Sequence, residues 1–247
     1  MSEEMSVYQR LHNDLSQLIQ NTPKGTKLPS EPQLSKDMGI SRATLREVMR
    51  TFESQGLIYR RQGLGTFVVG PTQIIETGLE VLESIETQAK KIGLDVTMGH
   101  LEINNIEADV EQARKMNLSQ GNPLVEIRRV ILSEGLPIAY LIDILPVEIL
   151  NIENMAEDFT GSVLDLLLQI GEPTLSVSKT EISAVHAQPD AVKAFGIQRG
   201  DTLLLLSSIL FDVDGNPVDL SYSYFLPGHF RLQIVRKIGG VPNPSQL

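Results

Sequence analysis

Residues 28–68, LPSEPQLSKDMGISRATLREVMRTFESQGLIYRRQGLGTFV, decide the reading of this 247-residue chain. Ser30 stands where a side-chain oxygen caps a helix, with Glu31 and Pro32 in the first turn, an acid and an imino acid suited to that end. Gly39 follows that short helix, where a left-handed residue closes the last turn. Ser41 then caps a second helix, roughly Arg42 to Gln55, which stops at Gly56. Two capped helices joined by a tight glycine-containing turn make a helix-turn-helix. Beyond Gly56, Leu57-Ile58-Tyr59-Arg60-Arg61 and Thr66-Phe67-Val68-Val69 read as two β-strands around Gln62-Gly63-Leu64-Gly65, a wing. Upstream, Tyr8, Leu11, Leu15, Leu18 and Ile19 recur at helical spacing and predict an amphipathic helix from about Met5 to Gln20.

The chain carries a net charge of −10, unevenly spread. Residues 1–70 hold nine Lys and Arg against seven Asp and Glu, a net of +2, which leaves twelve against twenty-four, or −12, for residues 71–247. Arg42, Arg46, Arg50, Arg60 and Arg61 fall close together in the first stretch, as expected of a small phosphate-facing surface on an otherwise acidic protein. A helix-turn-helix reads DNA with the N-terminal residues of its second helix, here Ser41, Arg42, Thr44 and Arg46. Arg42 and Arg46 are four residues apart and share a helical face, so one guanidinium can reach a base edge while the other grips phosphate.

Gly70-Pro71 marks the end of this unit. The expected division is a DNA-binding domain at 1–70, a linker at 71–80 and a second domain at 81–247, with a helical stretch from about Ile74 to Lys91 leading into it. Further on, strands are expected at 96–105, 123–133, 137–145, 174–187, 202–212, 217–226 and 229–236, and helices at 107–117, 162–170 and 190–196. Glu134-Gly135 and Asp214-Gly215-Asn216 sit between apolar runs as hairpin turns do, so the fold class is α+β with an antiparallel sheet.

The quoted segment resembles the DNA-binding signature of GntR-type regulators, a winged helix-turn-helix. That resemblance implies that Arg42, Thr44 and Arg46 contact an operator in the major groove, with Ser41 beside them, and that Gln62, Gly63 and Gly65 bring the wing to the minor groove. The family carries an arginine where this chain has Pro32, which implies one DNA contact fewer. Arg60 and Arg61, just before the wing turn, are the candidates to compensate.

The rest of the chain resembles the UTRA ligand-binding domain of the HutC branch, whose fold is related to chorismate lyase. The resemblance is carried by IRRVILSEGLPIAYLIDILP, GSVLDLLLQIG, TEISAVHAQPDAVKAFGIQRGDTLLLL and DVDGNPVDLSYSYFLPGHFRL. It implies a homodimer and a small-molecule effector. Arg129 aligns with a family arginine that pairs with anionic ligand groups, and Thr97 belongs to the same family pattern. Members that bind sugar phosphates carry a second arginine two residues later and a glutamate on the next strand. Those positions here are Ile131 and Leu141, which speaks for a less polar effector. Ser162, opening a helix after Gly161, is a candidate anion ligand or a plain cap, and Asp219, Tyr222 and Tyr224 of a late strand complete the candidate effector residues.

Other classes find less support. The chain has no cysteine, which removes thiolate metal sites, disulfides and cysteine nucleophiles together. His12, His100, His186 and His229 are isolated, so neither a metal site nor a catalytic constellation is expected, and no cofactor motif is present. No apolar run reaches the roughly 18 residues of a membrane span and no leader is read, so the expectation is a cytoplasmic, non-enzymatic regulator. The Glu-rich stretch from Glu76 to Glu86 reads as a solvated linker helix.

Overall fold

A computed structural model describes residues 7–54, 56–61, 63–69, 75–150, 159 and 161–234 of the chain. Its first part consists of α1 (Val7–Asn21), α2 (Glu31–Asp37), α3 (Arg42–Ser54) and an antiparallel ribbon of β1 (Ile58–Arg61) and β2 (Gly65–Val68). Ser30 Oγ accepts from Gln33 N at 3.4 Å and Ser41 Oγ from Thr44 N at 3.1 Å, so both expected caps start their helices. Leu11, Leu15 and Ile19 of α1 bury against Leu34 of α2, Leu45, Val48, Met49 and Phe52 of α3, and Ile58 and Val68 of the ribbon. Each such side chain withdrawn from water contributes about 1.5–3 kcal/mol, the main force holding so small a unit together. The approach to α2 is tied to the wing, with Leu28 N donating to Thr66 O and Val68 N to Thr26 O.

The second part comprises β3 (Ile75–Gly78), α4 (Ile85–Lys91), β4 (Val96–Glu107), α5 (Val110–Met116), β5 (Pro123–Ser133), β6 (Leu136–Pro146), α6 (Val163–Ile170), β7 (Leu175–His186), α7 (Pro189–Phe195), β8 (Thr202–Asp212), β9 (Pro217–Phe225) and β10 (Phe230–Gln233). Six strands form one antiparallel sheet in the order β4-β5-β6-β9-β8-β7. Glu134 and Gly135 take positive φ of 50° and 76°, the left-handed pair that a two-residue hairpin turn between β5 and β6 requires.

Strand alternation gives the sheet two apolar faces. On one, Leu124, Ile144 and Leu220 meet Ala113 and Met116 of α5, while Val130, Tyr140 and Leu203 meet Ala191 and Phe195 of α7. On the other, Val125, Ile127 and Leu145 meet Val163 and Leu167 of α6, and Ile131, Ala139 and Leu141 meet Ile85 and Ala89 of α4.

The stretch from about Ile74 to Lys91 is not the single helix its sequence suggests. Ile75–Gly78 form β3, paired in parallel with β10, and only Ile85–Lys91 are helical. Gly78 weakens a helix interior, and Ser84 Oγ accepts from Thr87 N at 3.0 Å and so caps a helix that starts after it. Residues 75–78, expected in the linker, thus pair with a strand near the other end of the second part. Of the expected strand at 229–236, β10 takes Phe230–Gln233 and stands outside the main sheet, and residues 235 and 236 lie outside the described residues.

Candidate functional site

Two sites emerge, one on each part. At the start of α3, Ser41, Arg42 and Arg46 are exposed and Thr44 half-buried, while Leu45, Val48 and Met49 turn into the core. The Ser41 and Thr44 hydroxyls lie 2.9 Å apart and hydrogen-bond. Arg46 Nε donates to Glu31 Oε2 at 2.7 Å, and Arg60 reaches the other carboxylate oxygen at 2.8 Å. Glu31 therefore braces α2 against both α3 and the ribbon. Arg60 is turned inward, its side chain 18 % exposed, whereas that of Arg46 stays 56 % exposed. The backbone of Arg61 pairs opposite Gly65, and Gly63 stands exposed at the wing tip with φ of 77°. At Gly65, with φ of 119°, an added Cβ would strike the Lys27 side chain. Gln62 lies outside the described residues. Pro32 occupies the first turn of α2, where its missing N–H leaves no helical bond unmade.

The second site is a cavity of about 610 Å³ on the sheet face that α4 and α6 only partly cover. Arg129, Leu141, Asp143, Asp219, Ser221, Ser223 and Phe225 line its floor from β5, β6 and β9, and Ser178, Thr180, Leu206 and Ser208 extend it over β7 and β8. Its roof is the segment from Gly78 to Glu86 together with Ser162 and Phe230. Arg129 is 5 % exposed and ion-pairs with Asp143 through Nη1, while its Nε is buried with no partner among the described residues. Asp219 is 5 % exposed and accepts from Ile144 N at 3.2 Å; burial and the neighbouring Asp143 push its carboxyl well above the usual range. Glu86 lines the same space, its Oε1 buried without a partner among the described residues, and burial raises its carboxyl too.

Of the expected effector residues, the cavity brings together Arg129, Ser162 and Asp219. Ser162 also caps α6, accepting from Asp165 N at 3.0 Å. Thr97, Tyr222 and Tyr224 do not line it. Thr97 is exposed and pairs opposite Leu132. Tyr222 faces α5, where Lys115 Nζ reaches its hydroxyl at 3.3 Å, and Tyr224 stacks on Tyr140 at 6.0 Å beside α7. The two tyrosines do share a face, but residues 219 and 222 of one strand cannot, so Asp219 separates from them. Arg128, the next residue along the strand, points away from Arg129 and pairs with Glu126 and Asp190. Ile131 is fully buried in the core, and Leu141 lies directly across from Arg129 on the cavity floor.

Sequence reasoning missed Glu86, reading it as part of a solvated Glu-rich helix. The available signal was Ser84 directly before Ile85, a cap followed by an apolar residue that turns this segment inward. The four histidines are dispersed: His12 stacks on Phe52, His100 bonds Glu102, His186 faces Gly200 O, and burial lowers the pKa of His229 to about 4. Among the described residues no cluster of His, Cys, Asp or Glu could hold a metal ion, and no helix is long and apolar enough to cross a membrane.

Comparison with known proteins matches both parts. The UTRA domain profile covers residues 91–242, and that of bacterial regulatory proteins of the gntR family covers residues 4–68. Among curated proteins, the HTH-type transcriptional repressor NagR of Bacillus subtilis is 26% identical over 221 residues, 89% of this chain and 90% of that protein. The histidine utilization repressor of Pseudomonas putida is 25% identical over 202 residues, covering 81% and 80%. Among solved structures, PhnF from Mycobacterium smegmatis shares the fold with a TM-score of 0.63 at 19% identity, covering 92% of this chain and 99% of that one. The chain belongs to the gntR family of bacterial regulatory proteins, in the HutC-like branch that couples a helix-turn-helix to a UTRA domain.

Proposed function

We propose that this chain is a transcriptional repressor that binds operator DNA through α3 and the wing and is released by a small-molecule effector held in the cavity. One observation carries the reading. An exposed hydroxyl-and-arginine face at the start of a capped recognition helix shares its chain with a separate, partly buried polar cavity. The first is what base reading in a major groove needs, and the second what selective binding of a small molecule needs. Ser41, Arg42, Thr44 and Arg46 form the reading face, with Gly63 and Gly65 shaping the wing beside Arg61 and Gln62. Arg60 acts indirectly, through Glu31. The active form is a homodimer that places two reading helices on a palindromic site in the bacterial cytoplasm, and the protein has no catalytic role.

The two parts are in physical contact. Gly56, two residues beyond α3, packs so closely on Gly228 that an added Cβ would lie 3.3 Å from its backbone. Two residues after Gly228, Phe230 lines the cavity and packs against Phe225 at 4.4 Å between ring centroids. Lys24 of the first part also ion-pairs with Glu134 of the β5–β6 turn. A ligand that shifts Phe230 would be felt at the end of the reading helix. For release to follow, it must bind the DNA-free arrangement more tightly than the DNA-bound one. Gel-shift titration of an operator selected from random duplexes, against a broad metabolite panel, tests this. Release by one or more compounds supports the reading, and stable binding in the presence of all of them contradicts it.

A further inference from the structure

Arg129 Nε and Glu86 Oε1 are the two buried side-chain atoms of the second part that lack partners among the described residues, and both residues line the cavity. One is a donor and the other an acceptor. A buried polar atom without a partner costs about 1–3 kcal/mol, so a ligand that satisfies both has a large advantage over one that satisfies neither. The charge of the lining adds a second condition. Five acids, Glu80, Glu83, Glu86, Asp143 and Asp219, line the space with one guanidinium; Asp143 already pairs with it, and burial beside Asp143 favours the neutral form of Asp219. Glu83 is held by Lys91 at the rim, whereas Glu86 Oε1 has no partner among the described residues.

We propose that the cavity takes a small amine, neutral overall or cationic, whose ammonium pairs with the Glu86 carboxylate and one of whose acceptor atoms takes a hydrogen of Arg129, the two side chains turning from their enclosed positions to meet it. The proposal rests on reading the cavity as the effector site and specifies its chemistry. A phosphate or a simple carboxylate would enter beside Asp143 and find the one cation already neutralised by that internal pair. An ammonium instead gives Glu86 the opposite charge it lacks, at a carboxyl group partly withdrawn from water. The rest of the ligand meets a mixed lining that includes Leu141, Leu206, Phe225 and Phe230 together with Ser178 and Ser208. An apolar or hydroxylated body therefore fits, and a densely charged one does not.

The full-length protein is screened by thermal shift against a metabolite collection sorted by charge, and hits are measured by calorimetry. Two matched sets are included: tyramine, tyrosine and 4-hydroxyphenylacetate, and glucosamine, glucose and glucose 6-phosphate. The compounds that bind are expected to be amines, each at least about tenfold tighter than an anion of the same body. Glu86→Gln, with its fold checked by circular dichroism, lowers the amine's affinity by about tenfold or more. Glu86→Asp, which keeps the charge on a shorter arm, lowers it less and serves if the first variant does not fold. Tighter binding of anions, no amine binding anywhere in the collection, or unchanged amine affinity in the folded variants overturns the proposal. An anion that binds and releases operator would overturn it while leaving the repressor reading intact. An amine that binds through Glu86 without changing operator affinity would do the reverse.

Discussion

Glu31 holds Arg46 and Arg60 at once, its two carboxylate oxygens 2.7 and 2.8 Å from their guanidinium nitrogens. One acid at the start of α2 thereby fixes an arginine of the reading helix and an arginine of the wing. Arg60 is largely enclosed and its Nε has no partner among the described residues, so it depends on this carboxylate.

Glu31→Gln is expected to lower the stability of the first part by about 1–3 kcal/mol, mainly by stripping the enclosed Arg60 of its counter-charge. It should also weaken operator binding, because Arg46 loses the contact that orients it. Denaturant unfolding and fluorescence anisotropy on a labelled operator read the two effects separately.

Arg42 and Arg46 should differ in kind. Arg46, held at Nε by Glu31, is pre-oriented for a base edge, and Arg46→Ala is expected to lose about 1–3 kcal/mol of specific binding and relax base preference at one position. Arg42 has no such brace among the described residues, and Arg42→Ala should weaken all duplexes alike and reduce the salt slope of log K by about 1. Anisotropy titrations at several salt concentrations, on selected and scrambled duplexes, distinguish the two. Unchanged affinity in both variants would remove α3 from the role of reading helix.

Gly56 takes φ of 68°, and an added Cβ would press on Gly228. Gly56→Ala is expected to destabilise by about 1–2 kcal/mol from the left-handed backbone alone. If the Gly56–Gly228 contact transmits the effector signal, the variant should also change the factor by which effector alters operator affinity, measured by anisotropy with and without ligand. A pure stability loss with the factor intact would place transmission elsewhere.

Much of this architecture is legible in the sequence because the local signals agree with the tertiary outcome. Ser30, Gly39, Ser41 and Gly56 each mark a helix boundary, and the strands β5, β6, β8 and β9 follow long apolar runs between turn residues. The segment before α4 misleads because its acids look solvated; only the pairing of β3 with β10, remote in sequence, shows that it roofs a cavity. Strand alternation puts Tyr222 and Tyr224 on one face but does not say which face a helix will cover. α5 and α7 cover that face and leave the cavity to Asp219, Ser221 and Ser223.

The raised carboxyl of Glu86 sets a pH dependence. Burial favours its protonated form in the free protein, and a bound ammonium favours the charged form, so amine binding should release protons. Amine affinity should therefore fall as pH drops through the raised pKa. Calorimetry in buffers of different ionisation enthalpy detects the release, which Glu86→Gln should reduce. For the ligand-free protein the sign reverses: a carboxyl whose pKa is raised on folding opposes folding when charged, so the same variant should stabilise the empty protein near neutral pH.

The central claim is that cavity and reading helix share one equilibrium. The most direct test is a linkage measurement: operator affinity at zero and saturating effector by anisotropy, and effector affinity with and without operator by calorimetry, on the same full-length protein. The account predicts that effector weakens operator binding and that operator weakens effector binding by the same factor. A ligand that occupies the cavity, confirmed by its loss in Glu86→Gln, while operator affinity stays constant would contradict it.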